Sequence, residues 1–80
     1  MRKFQDEHGK TWVASVRARS GDDYKGRYGL VMAPDGASRE EEVEVVEVRW
    51  NSVKTAVRTL QTMSEVELRR RYRSARGRTT

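Results

Sequence analysis

The stretch 40-EEEVEVVEVRWNSVKTAVRTL-60 fits two incompatible structures, and the choice between them decides where the charges of the chain sit. Val43, Val46, Trp50, Val53, Val57 and Leu60 step by three and four residues, the spacing of a helical seam. Against one long helix, four valines within residues 43–48 are β-branched, and Glu42-Val43-Glu44-Val45 alternates strictly, as a half-buried strand does. Asn51-Ser52 is a helix-start signal in the middle of that supposed helix. The reading that satisfies all three is a strand over about 42–49, followed by a helix capped by Asn51 or Ser52. Val43 and Val45 share one parity, whereas Val46, Val48 and Trp50 share the other. A β-bulge at Val45-Val46 would turn all five to one face and leave Glu42, Glu44 and Glu47 as an acidic ridge.

Upstream, Phe4, the polar Asp6-Glu7-His8-Gly9-Lys10 and TWVASVRAR read as a hairpin with Gly9 at the position of positive φ. Trp12, Ala14, Val16 and Ala18 form the core-facing set of its second strand, and Val13, Ser15, Arg17 and Arg19 the outer set. SGDDYKG (20–26) is a loop, YGLVMA (28–33) a third strand, and Pro34-Asp35-Gly36 its closing turn. Downstream, Val53, Ala56, Val57 and Leu60 make an amphipathic stripe. Ser64 with Glu67 forms a capping box for a second helix that carries Leu68, Tyr72 and Ala75 on one face, with Gly77 as its stop. The expected fold is α+β: a four-stranded antiparallel meander with two C-terminal helices on one face and the other face largely open. Trp12, Val16, Leu30 or Val31, Val48, Trp50, Val57 and Leu60 are the expected core, in a single domain over 1–76 followed by a frayed basic tail, 77–80.

Eighty residues allow one core, and a chain of this length buries only about 60% of its unfolded surface. With no cysteine there is neither a disulfide framework nor a thiolate metal site. No segment approaches a bilayer-spanning apolar run, and MRKFQDEHGK lacks the apolar run of a signal peptide, so a cytoplasmic protein is the expectation. The net charge of +5 is unevenly spread. Residues 35–50 carry six acidic and two basic side chains, and 51–80 carry eight basic and two acidic ones. That arrangement suits either an outside polyanion or the pairing of one segment with the other, within or between copies.

Catalytic chemistry finds little to stand on. The single histidine, His8, lies in a turn beside Asp6 and Glu7, and Asp22-Asp23 lacks the spaced oxygens of a calcium loop. The glycine spacing of 21–28 resembles a phosphate-binding loop, but Arg27 and Tyr28 replace its lysine and hydroxyl residue, and a strand follows where a helix is needed. A non-enzymatic binding module without cofactor is therefore expected. The strongest charge feature is ELRRRYRSARGR, whose Arg69, Arg73 and Arg76 form a helical stripe with Arg70 beside it. Glu65 and Glu67 are placed to pair with Arg69 and Arg71, which leaves Arg70, Arg73, Arg76 and Arg78 without local acidic partners. Tyr24, Lys25, Arg27 and Tyr28 interleave rings with cations, as single-strand nucleic-acid sites do, although a tyrosine there also suits a loop anchored on the core. The helix face of Leu68, Tyr72 and Ala75 is too small for firm membrane insertion. The expected partner is nucleic acid, bound through its phosphates. The alternative is a homodimer or acidic protein partner in which the acidic 40–47 strand meets the basic 69–78 helix.

The run Gly9-Lys10-Thr11-Trp12-Val13-Ala14-Ser15-Val16-Arg17 resembles the second strand of plant-type AP2 DNA-binding domains. The likeness covers about nine residues, and the motifs that precede and follow it in that family are absent. It implies that Arg17 and Arg19, on the face away from the core, stand where a sheet-type DNA reader needs them.

Overall fold

The computed structural model describes residues 1–18, 27–36 and 41–79, with side chains described through Arg76. The elements are β1 (Arg2–Gln5), β2 (Thr11–Ala18), β3 (Tyr28–Pro34), β4 (Val43–Trp50), α1 (Val53–Thr62) and α2 (Glu65–Thr79). The strands pair antiparallel in the order β1-β2-β3-β4, and the helices cover one face of the sheet, so the fold is the α+β meander that the sequence predicts. The first hairpin turns at Asp6–Gly9. The Gly9 N–H donates to the Asp6 carbonyl at 3.1 Å, and Gly9 sits at φ +80°, where the lack of a Cβ removes the steric cost. The Asp6 carboxylate fixes the same turn by accepting the N–H groups of His8 at 2.8 Å and Lys10 at 3.0 Å.

Residues 43–50 are a strand, and its irregularity is larger than a one-residue bulge. Gly29 and Leu30 are consecutive in β3, yet they pair with Arg49 and Val45, so Val46, Glu47 and Val48 have no partner in the ladder. The parity shift is achieved as expected for Val43, Val45, Val48 and Trp50, all of which reach the core or its margin. Val46 does not: at the crest of the irregularity it remains 42% exposed. The acidic ridge is divided for the same reason. Glu42 pairs with Arg17 on the face away from the helices, while Glu47 is carried by the irregularity toward α2, where it lies 3.8 Å from Arg71.

Phe4, Trp12, Ala14, Leu30, Met32 and Val45 meet Leu60, Leu68, Tyr72 and Ala75 in the core between sheet and helices. Val31, between Leu30 and Met32, points to the opposite face by strand alternation and is still buried, so that face is less open than expected. Ala18, expected on the core side, is exposed at the end of β2. On α1 the buried stripe is narrower than the sequence suggests. Ala56 and Leu60 are fully buried, whereas Val53 and Val57 are 50% and 37% exposed. The helix rests along the Ala56–Leu60 row, and the neighbouring i,i+4 row, Val53–Val57, is lifted off the sheet. Val16, Val48 and Trp50 pack at the margin of the core. Gly77 does not stop α2, which runs to Thr79. A glycine inside a helix costs about 1 kcal/mol relative to alanine, a penalty rather than a termination.

Both helix starts follow their sequence signals. Of the two candidates before α1, Ser52 is the N-cap, extended at φ −135° and accepting the Thr55 N–H. The other end of α1 has no cation in its own last turn, and Arg2 of β1 supplies one. Its Nη1 donates to the carbonyls of Gln61 and Met63 at 2.8 Å each, with Leu60 at 3.4 Å. A charged donor on the orphan carbonyls at the negative end of the helix ties the first strand to the fifth element. Arg2→Met, which keeps the apolar stem, should lower unfolding free energy in urea by about 1–2 kcal/mol. Lys3→Met, which removes only an exposed pair with Asp35, should change it by less than about 0.5 kcal/mol. Equal effects of the two substitutions would show that the cap contributes nothing.

Candidate nucleic-acid interface

The basic helix is held by its start and by its inner face. The Ser64 hydroxyl accepts the Glu67 N–H at 3.1 Å, and Glu65 and Glu67 place negative charge in the first turn, where the helix dipole favours it. Leu68, Tyr72 and Ala75, at i, i+4 and i+7, are buried against the sheet. Tyr72 is the centre of that seam: its ring lies 4.4 Å from that of Trp12 and 6.2 Å, edge-on, from that of Phe4. The helix lies against β4 on one flank and β1 on the other, so its arginines diverge.

Toward β1, Arg69 donates from Nε to the Gln5 carbonyl at 2.8 Å and pairs with Glu65 at 3.0 Å. One turn on, Arg73 lies 3.2 Å from Glu7 of the hairpin turn. Toward β4, Arg71 joins Glu67 at 2.8 Å to Glu47, and Ser74 donates to Glu47 at 3.2 Å. Arg70 faces outward, with a side chain 68% exposed, and pairs with Glu67 one turn back. Arg76 donates to the Tyr72 hydroxyl at 2.7 Å and stands over that ring at 5.7 Å. The Glu65–Arg69 and Glu67–Arg71 pairs match the sequence expectation. Arg70 is a correction to it, with an acidic partner at i,i+3 that i,i+4 counting overlooks; Arg73 finds its acid outside the helix, and Arg76 bonds to a hydroxyl. Glu67 serves Arg70 at i,i+3, and Glu7 arrives from a turn distant in sequence. Exposed pairs of this kind are worth about 0–1 kcal/mol each, so they orient the guanidinium groups without committing them.

Of the other sequence candidates, those among the described residues do not join this helix. Arg17 lies on the face of the sheet opposite α2 and pairs with Glu42, so it belongs to a different surface. Arg27 is exposed and Tyr28 half-buried, the latter opposite Ala18 and Trp50, in keeping with the anchoring role. Both stand at the end of the sheet remote from the hairpin turn that Arg73 contacts, about 23 Å away along β2. Arg19, Tyr24 and Lys25 lie outside the described residues, as does the side chain of Arg78. Among the described residues the candidates therefore group as one basic helix surface, Arg69, Arg70, Arg73 and Arg76, apart from Arg17 and Arg27 of the sheet.

Sequence reasoning missed a polar cluster under the end of this helix. The Trp12 Nε1 donates to Asp6 at 2.9 Å, and Lys10 stands over the Trp12 ring at 5.4 Å. Partial desolvation pushes the Asp6 carboxyl up, but the bonds from Trp12, Lys10 and His8 outweigh it and hold the group below its ordinary value. The signal was present in the Asp6-to-Trp12 spacing, but only the hairpin brings the indole N–H over the turn. Glu67 is also held low, first by the hydrogen bond from Arg70, against desolvation, and then by Arg71. Carboxyls lowered in the folded state stabilise it above their unfolded values, and that contribution is lost as pH falls through the folded ones. The urea midpoint should thus stay level from neutral pH to about 5 and fall as acid carries both groups below roughly 4. In the double variant Asp6→Asn, Glu67→Gln the acid slope should be visibly shallower, and an unchanged slope would remove these two groups from the account.

Among the described residues no group of three His, Cys, Asp or Glu side chains is placed to hold a metal ion, and no helix is long and apolar enough to cross a membrane. Comparison with models of protein families finds no match for the chain, and neither curated proteins nor solved structures yield one.

Proposed function

We propose that this protein is a non-enzymatic nucleic-acid-binding module that grips phosphates with the outer surface of α2 and acts in the cytoplasm. The observation that carries the reading is the presentation of Arg69, Arg70, Arg73 and Arg76 on a helix anchored by Leu68, Tyr72 and Ala75, with weak, exposed ion pairs as their internal competitors. A guanidinium fork held in place by an exposed carboxylate gives it up readily to a phosphate, which offers more charge and more acceptor oxygens. Such contacts position a polyanion without reading its sequence. The test is fluorescence anisotropy with labelled single- and double-stranded DNA and RNA at about 50 mM salt. Micromolar or tighter binding to at least one of them supports the reading, and no shift with any of the four overturns it.

The exchange of acidic strand and basic helix between two copies loses much of its motive. Within one chain Glu47 already meets Arg71 and Ser74, and Glu42 already meets Arg17, in pairs less exposed than that of Arg73 with Glu7, so two of the acids that would bind a second copy are engaged at home.

A further inference from the structure

The turn of the β1–β2 hairpin and the last described side chains of α2 enclose an open pocket of about 210 Å³, lined by Asp6, Glu7, His8, Tyr72, Arg73 and Arg76. We infer that this pocket is a subsite for a single phosphate group, and that the Glu7 carboxylate is its internal stand-in. The inference rests on the nucleic-acid reading only for the source of that phosphate, which is either the end of a polynucleotide or the free ion.

Arg73 and Arg76, at i,i+3, present two guanidinium groups to one cavity, the arrangement that suits a tetrahedral oxyanion with several acceptor oxygens. The Tyr72 hydroxyl accepts from Arg76 and keeps its own proton as a further donor. Two acids line the same space, and they differ in what they are doing. Asp6 is bonded inside the turn, where one oxygen takes the N–H groups of His8 and Lys10 and the other the Trp12 indole, and its charge also acts on Arg76. Among the described residues Glu7 is paired with Arg73, at 3.2 Å, with 60% of its side chain exposed and 66% of its partner's. It places an anion against the arginine at the mouth of the pocket, through a contact weak enough to be displaced. Removing the charge of Glu7 leaves a pocket with two cations and one acid already engaged, and that pocket should bind an incoming anion more tightly.

Trp12 bonds to Asp6 and packs, tilted, against the Tyr72 ring, so its fluorescence reports on the pocket. The experiment is a titration of the Trp50→Phe protein, in which Trp12 is the one indole, with inorganic phosphate, and with a single-stranded 12-mer carrying or lacking a 5′-phosphate. Glu7→Gln should lower the phosphate midpoint by about twofold to fivefold, the scale of one exposed ion pair, and Arg73→Gln should abolish saturation. Both substitutions lie on exposed side chains, so folding is preserved. The phosphorylated 12-mer should bind more tightly than its unphosphorylated counterpart if the end of a chain is the source, and equally if the free ion is. Phosphate midpoints unchanged by Glu7→Gln and by Arg73→Gln overturn the subsite, even where both 12-mers bind and the nucleic-acid reading stands. A phosphate response that shifts as expected while neither 12-mer binds keeps the subsite and removes the nucleic acid.

Discussion

Tyr72→Ala should lower the unfolding free energy by about 3–5 kcal/mol, the range for removing a buried aromatic ring. A domain of this length has roughly 4–12 kcal/mol in all, so the variant should be largely unfolded at 37 °C. The ring is 7% exposed and touches both Trp12 and Phe4, so its loss opens a cavity where α2, the hairpin and β1 meet. It also releases Arg76 from the Tyr72 hydroxyl and ring that hold its guanidinium. Tyr72→Phe keeps the ring and removes the hydroxyl, and should cost about 1 kcal/mol. Urea denaturation followed by far-ultraviolet circular dichroism separates the two. A Tyr72→Ala protein that unfolds with the same midpoint as Tyr72→Phe would mean that α2 is not docked as described.

The second large effect is on binding. Replacing Arg69, Arg70, Arg73 and Arg76 together with glutamine should weaken nucleic-acid affinity at least about tenfold at 50 mM salt, equally across sequences, because each arginine contributes a phosphate contact that carries no base information. Stability should move by no more than about 1–2 kcal/mol, since the ion pairs lost are exposed and individually worth little. Affinity and stability are thereby uncoupled. If affinity is retained, or discrimination between sequences changes while overall affinity does not, the basic helix surface is not the interface.

Much of the fold was legible because local chemistry and periodicity agreed. Gly9, Ser52 and Ser64 sit where their turn and cap signals place them, and the β-branched run of 43–48 outweighed its helical seam, as strand propensity and the Asn51-Ser52 break required. What was not legible depends on long-range placement. Nothing near Arg2 in sequence says that it will close α1, sixty residues away, and nothing in the i,i+3 pattern of α1 says which of two adjacent rows will face the sheet. The three-residue excursion at Val46–Val48 was readable as a parity shift but not in size, because alternation records only odd or even. The site divides in the same way. The arginine helix announces itself by charge and spacing, and Arg17 on the far side of the sheet by the alternation of β2, whereas Glu7 as partner of Arg73 follows only from how the hairpin turn meets α2.

The most direct test of the central claim is the slope of the logarithm of affinity against the logarithm of salt concentration, measured between 50 and 200 mM for the wild-type protein and the four-arginine variant. Four phosphate contacts give a slope of about −3.6 on duplex DNA or about −2.8 on single strands, a loss of roughly fiftyfold to a hundred and fiftyfold across that range, and the slope should approach zero in the variant. A wild-type slope near zero, or one that the variant shares, would contradict the account.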